Sequence, residues 1–332
     1  MLECSEILTK LVLIAFVLTF SLSYTLAQFF SMDYKESAHR EQHSLFKPYT
    51  DLGHWDGFGA AVITPEYIRL TPDLKSQQGA IWNNKRVDMR SWGVHINFKI
   101  HGKGAVNQAG DGIAFWYVKE RMIPGPVFGS KDYFSGLGVF IDTYGNHLFQ
   151  SGSSRSEQHD SHEHPYISII VNNGSQKYNH DDDGGSQNLG GCSVKVRNKN
   201  VTQILVRYDN DMVTILRDVD GKGLFDICAQ VDGIELPTGY YFGISAATGD
   251  LSDNHDIFFV QTYEANNYEM RVHSIHASRD GIIPSARRDR PKEEEGGAWS
   301  VIRIMLALMG VTLIAACGYG LVAVTSNKPK GT

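Results

Sequence analysis

Basic charge, cysteine and helical periodicity are all scarce in this chain, and each shortage removes a class of function. The 332 residues carry 31 Lys and Arg against 37 Asp and Glu, a formal charge of −6. That leaves no basic face for a phosphate backbone, so a nucleic-acid role is excluded. Between Leu45 and Glu264 no long apolar repeat of helical period occurs, which excludes a helical bundle. A Glu-x-Asp-x-x-Glu strand, typical of retaining hydrolases on sandwich folds, is absent too. Glycoside hydrolysis needs a carboxylate on each side of the scissile bond, and no such pair stands out. The chain therefore reads as a binding protein and not an enzyme. Only four cysteines are present, and Cys4 and Cys317 fall in apolar terminal stretches. Cys192 and Cys228 remain as a pair 36 residues apart, which in an oxidising compartment predicts one disulfide.

Long uncharged apolar runs are also few. Leu11 to Ser23 followed by Thr25-Leu26-Ala27 reads as a signal peptide over residues 1–27, although Glu3 and Glu6 offset Lys10 in its n-region. Ile304 to Val324 is a run of 21 residues without a charge. At about 1.5 Å per residue it spans the roughly 30 Å hydrocarbon core of a bilayer as one transmembrane helix, 304–324. Trp299 and Arg303 flank it as interfacial anchors. The pair of runs predicts a single-pass type I membrane protein with a cytosolic tail at 325–332. Lys328 and Lys330 in that tail resemble a K-x-K-x-x signal read by retrograde vesicle coat proteins, and they equally satisfy the positive-inside rule.

Between the runs, residues 28–44 are polar and read as a flexible segment. From 45 to 264 the periodicity is that of strands. Trp92, Val94, Ile96, Phe98 and Ile100 alternate with Gly93, His95, Asn97 and Lys99. Ile204, Val206 and Tyr208 are expected to pair with Met212, Thr214 and Leu216 across Asp209-Asn210-Asp211. Denser runs at 113–118, 137–141 and 167–171 suit central strands. Many short strands punctuated by glycine predict an all-β antiparallel sandwich. Residues 150–164 are rich in Ser, His and Asp; His159, His162 and His164 are metal-capable, but the stretch reads as a solvated loop. Residues 265–298, with Arg287, Arg288, Arg290 and Lys292 before three glutamates, read as a lumenal stalk. Asn173 and Asn200 head N-glycosylation sequons.

Four polar, glycine-containing stretches adjoin strand-like runs: Gly110–Gly112, Asp142–Asn146, His180–Gly184 and Gly249–Asn254. Asp142 and Asn146, four apart, supply two side-chain oxygens, the Tyr144 carbonyl a third, and Asp183 a fourth from another loop. Hard oxygens of this kind suit Ca²⁺. The spacing alone is also that of ordinary Asp and Asn turns. For sugar hydroxyls, Asp111 offers an acceptor, and Asn146 and the backbone N–H groups of Gly249, Asp250 and Leu251 offer donors. The Tyr144 ring can pack on a pyranose.

From Leu45 to Glu264 the chain resembles the lectin domain of animal L-type (leguminous-type) lectins, and most the vesicular integral membrane proteins that bind high-mannose glycans on cargo. The resemblance rests on Gly110-Asp111-Gly112-Ile113-Ala114, Pro124 to Gly129, Asp142-Thr143-Tyr144, Val171 to Ser175, Gly239 to Gly243 and Gly249 to Asp256. It implies a legume-lectin-like jelly roll with Ca²⁺ held by Asp142, Tyr144, Asn146 and Asp183. It implies mannose contacts from Ser76, Asp111, Asn146, His180, Gly249, Asp250 and Leu251, with Cys192 and Cys228 as the family's disulfide. It further implies a cargo receptor in the endoplasmic reticulum, the intermediate compartment and the Golgi membrane, or a scaffold of that pathway if the sugar site is degenerate. Gly145 stands where such lectins commonly have proline, and 145–164 is longer than usual. His180 lies three residues from Asp183, so sugar binding is expected to weaken between about pH 7.4 and 6 as His180 gains a proton.

Overall fold

The computed structural model describes residues 38–104, 110–146, 163–265 and 281–286. The expected signal peptide, span and tail, with Lys328 and Lys330, lie outside them, as do His159 and His162. No α-helix occurs among the described residues. The strands are β1 (Ala38–His39), β2 (Trp55–Gly59), β3 (Val62–Ile63), β4 (Ile68–Thr71), β5 (Gln78–Asn83) and β6 (Trp92–His101). They continue with β7 (Gly112–Val118), β8 (Ser135–Asp142), β9 (Tyr166–Asn173), β10 (Gly191–Ser193), β11 (Thr202–Asp209) and β12 (Met212–Asp218). The last are β13 (Asp226–Val231), β14 (Ile234–Glu235), β15 (Tyr241–Ala247), β16 (Asn254–Glu264) and β17 (Ser285–Ala286).

Two antiparallel sheets carry the fold. One runs β13-β12-β11-β6-β16-β4-β3 with β1 added on β16, and the other runs β10-β9-β8-β7-β15-β5-β2. The alternation read in β6 sets its core face: Val94, Ile96, Phe98 and Ile100 pack with Ile113, Phe115, Tyr117, Val139 and Ile244 of the second sheet. Trp92 closes one end of this core against Phe115, Tyr117, Tyr208 and Phe242. The denser apolar runs have a different cause. The opposite face of the second sheet is also covered, with Ala114, Trp116, Val118, Phe140 and Ile170 packed under Val127, Phe128, Phe134 and Tyr178. Strands buried on both faces are not required to alternate apolar with polar residues.

The β11–β12 hairpin departs from the expected register. Asn210 and Asp211 have φ of 51° and 59°, so the turn has two left-handed residues, and Asp209 pairs with Met212. Tyr208 and Val206 then face Val213 and Ile215, while Ile204 faces Arg217, rather than Met212, Thr214 and Leu216. Counting Asp209 into the turn moves the register by one, which exchanges the buried and outer faces.

Parts of both flanking segments also join the fold. Ala38–His39 pairs with β16, and His43 is fully buried beside Asn83. Within the segment read as a stalk, Ser285–Ala286 pairs with Ile234–Glu235. The asparagines of both sequons are exposed.

Cys192 and Cys228 form the disulfide, joining β10 to β13 and so clipping the corresponding edges of the two sheets together. Closing a 36-residue separation limits the unfolded chain by roughly 3–4 kcal/mol. A Cys192→Ser, Cys228→Ser double variant should lose about that much in a denaturant titration; a change below about 1 kcal/mol would contradict it.

Candidate functional site

Register assembles the site. In the second sheet Gly112 pairs with Asp142 on one side and Ala247 on the other, Asp142 pairs with Tyr166, and Ala247 pairs with Gln78. The loops next to these residues therefore emerge at one rim. They are the loops holding Ser76, Asp111, Asn146, His164 and Gly249–Leu251.

Asp111 is fixed by its own backbone. Its N–H donates to the Ala247 carbonyl at 3.0 Å, and its carbonyl accepts from the Thr143 N–H at 2.9 Å and the Thr143 hydroxyl at 3.0 Å. Burial pushes its carboxyl above the usual range, and the Gly249 N–H donating to it acts the other way. A Cβ on Gly249 would lie 3.0 Å from Asp111 Oδ1, so a side chain there would press on that carboxylate.

Asp142 is buried at the end of β8 and accepts the Tyr144 N–H at 2.9 Å. Its carboxyl is driven well above the usual range, first by burial and then by the neighbouring charge of Asp183. Asp183 follows a short 3-10 turn, His180–Asp182, in a left-handed conformation. It accepts the Asn146 side-chain amide at 2.7 Å and the Asn146 backbone N–H at 3.2 Å. His164 lies between the two carboxylates, with Nε2 3.8 Å from Asp142 and 3.9 Å from Asp183 and its side chain 7% exposed. The three ligand-capable atoms fall within 4.8 Å of one another. The solvated-loop reading of 150–164 thus fails at His164; the sequence showed its ligand chemistry but not its burial.

Of the expected sugar contacts, Asp111, Asn146, His180, Gly249, Asp250 and Leu251 line one cavity of about 340 Å³, with Asp142 and Tyr144 beside them. Ser76 does not line it, but its N–H donates to the Gly249 carbonyl at 3.0 Å, so it adjoins the same loop. Pro126, Phe128 and Tyr178 also line the cavity and had no assigned role in the sequence. Their signal was the Pro124–Gly129 motif and the apolar–polar boundary at Tyr178-Asn179-His180. Tyr178 is buried edge-on to Phe140 and His180, at ring separations of 5.5 and 4.7 Å. Burial lowers the proton affinity of His180, against the opposing charges of Asp132, Asp181 and Asp183 and in line with that of Lys177. Its Nε2 is buried without a hydrogen-bond partner.

A rim of carboxylates, an amide and backbone N–H groups around a small polar cavity matches one family over most of the described chain. A model of the legume-like lectin family matches residues 36–271. The chain belongs to the legume-like lectin family. The VIP36-like protein of Homo sapiens is 46% identical over 256 residues, covering 74% of this chain and 70% of that protein. Vesicular integral-membrane protein VIP36 of Mus musculus is 39% identical over 299 residues, covering 84% of this chain and 80% of that one. The crystal structure of the VIP36 exoplasmic/lumenal domain in its Ca²⁺/Man-bound form superposes with a TM-score of 0.68 at 41% identity, covering 76% of this chain and 99% of that chain. The sandwich is therefore a legume-like lectin fold, and the clustered rim occupies the loops of that fold.

Proposed function

We propose that this protein is a calcium-dependent lectin for high-mannose N-glycans, a membrane-anchored cargo receptor between the endoplasmic reticulum and the Golgi. The pairing of two buried, mutually repelling carboxylates, Asp142 and Asp183, is the observation that carries it. Such a pair is stable as a pair of anions only with a cation present. The donor set fits calcium: carboxylates of Asp142 and Asp183, the carbonyl of Tyr144 and the amide oxygen of Asn146 are hard oxygens. His164, with Nε2 3.8 and 3.9 Å from the two carboxylates, is beyond hydrogen-bond reach of either and is not counted in this donor set.

Calcium held by these residues would neutralise the two carboxylates and so hold the Asp142–Asn146 loop to Asp183. Asn146 is then held with its amide toward the cavity. Asp111 accepts from sugar hydroxyls, and the N–H groups of Asp250 and Leu251 donate to them. The neutral imidazole of His180 offers its unpartnered Nε2, and Tyr144 and Phe128 provide apolar walls. VIP36 has been crystallised with calcium and mannose bound, which supports the same ligands here. A shallow polar site gains little per hydrogen bond, so one mannose binds weakly and several glycan arms bind by avidity.

The anchoring is part of the same proposal: signal peptide 1–27, lectin head from 45, stalk to 298, span 304–324, and a tail whose Lys328 and Lys330 engage coat proteins. Titrating the full-length protein in detergent with a high-mannose oligosaccharide, with and without calcium, tests the core of it. Calcium-dependent binding is expected. No binding in either condition would leave the scaffold reading.

The pH dependence follows from the shifts. Burial holds His180 neutral to a lower pH than an ordinary histidine, which works against its gaining a proton between about pH 7.4 and 6. Asp142 works in the opposite sense: in the metal-free protein it keeps its proton to higher pH, and calcium must displace that proton. Calcium affinity should therefore fall as pH falls, and sugar affinity with it. At saturating calcium the sugar affinity should be flat over the same range; a slope that survives saturation would return the switch to His180.

A further inference from the structure

The stretch Gly249–Asp256 is only half used by the sugar site. Beyond Leu251 every polar side chain turns to a brace. Ser252 donates to Asp73 at 2.7 Å, and Asn254 accepts the Asp73 N–H at 3.0 Å. Asp253 is fully buried and meets the guanidinium of Arg197, whose own side chain is 6% exposed. Nε of Arg197 donates to both Asp253 oxygens at 3.1 and 2.9 Å, and Nη2 donates to Oδ1 at 2.9 Å. Nη1 of the same guanidinium donates to the Gly104 carbonyl at 3.0 Å. One arginine thus ties the end of the sugar loop to the turn after β6. Gly102 closes over the pair: a Cβ there would sit 2.1 Å from Asp253 Oδ1.

We propose that Arg197 is a positioning residue for sugar binding, holding the Gly249–Leu251 N–H groups in place through Asp253; this rests on the lectin reading. Arg197 is neither one of the residues that line the cavity nor one of the clustered ligand-capable groups. Its fork takes both oxygens of one carboxylate and a carbonyl at once, which lysine cannot reproduce. A loop whose donors are preorganised binds without an ordering cost, and a loop released from its brace must incur it.

The test uses the full-length protein and two variants that disturb the brace differently, Arg197→Lys, which keeps the charge, and Gly102→Ala, which keeps both partners. Calcium affinity, α-mannobiose affinity at saturating calcium, and amide hydrogen exchange are measured for each. The expected result is a sugar Kd raised about tenfold in both variants, with calcium Kd within about twofold of wild type. The Gly249, Asp250 and Leu251 amides should exchange faster, and those of Tyr144 and Asn146 should not. Wild-type sugar affinity in both variants, or equal loss of calcium and sugar, would overturn the proposal. Wild-type protein that binds no α-mannobiose would strike the lectin reading instead, and the exchange pattern would still decide the brace.

Discussion

Asp183→Ala is expected to abolish calcium and sugar binding together while leaving the metal-free protein folded. Asp183 is the partner that holds both the side chain and the backbone of Asn146. It also supplies one of the two carboxylates of the buried cluster. Removing it takes a charged ligand from the ion and frees the loop that presents Asn146 to the sugar. In the metal-free protein the same change removes the charge that, after burial, raises Asp142, and this offsets part of what the lost Asn146 bonds cost, so the apo protein should stay folded. Calcium at a hundred times its Kd stabilises a folded protein by about 2.7 kcal/mol. Thermal melts should show that gain in wild type and none in the variant. Sugar binding that persists in Asp183→Ala would remove the calcium model.

Asp111→Asn should separate the two ligands. The Asp111 backbone is held by Ala247 and Thr143, so the shape of the loop survives the substitution. Asp111 is not one of the clustered metal-ligating groups, and calcium affinity should stay within about twofold. The sugar loses a charge-assisted acceptor in a buried place, and Gly249 loses the carboxylate that its N–H meets. Hydrogen bonds to charged groups are worth about 1.5–3 kcal/mol, so the mannose Kd should rise roughly 10- to 150-fold. Calorimetry at saturating calcium reads this directly. Unchanged sugar affinity would place the acceptor elsewhere on the rim, and loss of calcium binding would show that Asp111 serves the metal loop.

The sequence alone determined the fold class, because period-2 alternation in β6 and glycine-punctuated apolar runs are local signals of a sheet. It also determined the chemistry of the site, because oxygen donors and glycines cluster in four short stretches whose residue types limit what they can bind. Tertiary structure decided what depended on distance and burial. The register of the Asn210–Asp211 turn needed two left-handed residues, which composition does not display. His164 joins the cluster only because Asp142 and Asp183 come from separate loops to within 4 Å of its ring. Phe128 and Tyr178 became cavity walls because the second sheet is covered on both faces. Arg197 carries no motif at all, and its meaning comes from the buried carboxylate it meets 56 residues away. Residue type sets what a group can do, and the fold sets its neighbours and its access to water, which decide what it does.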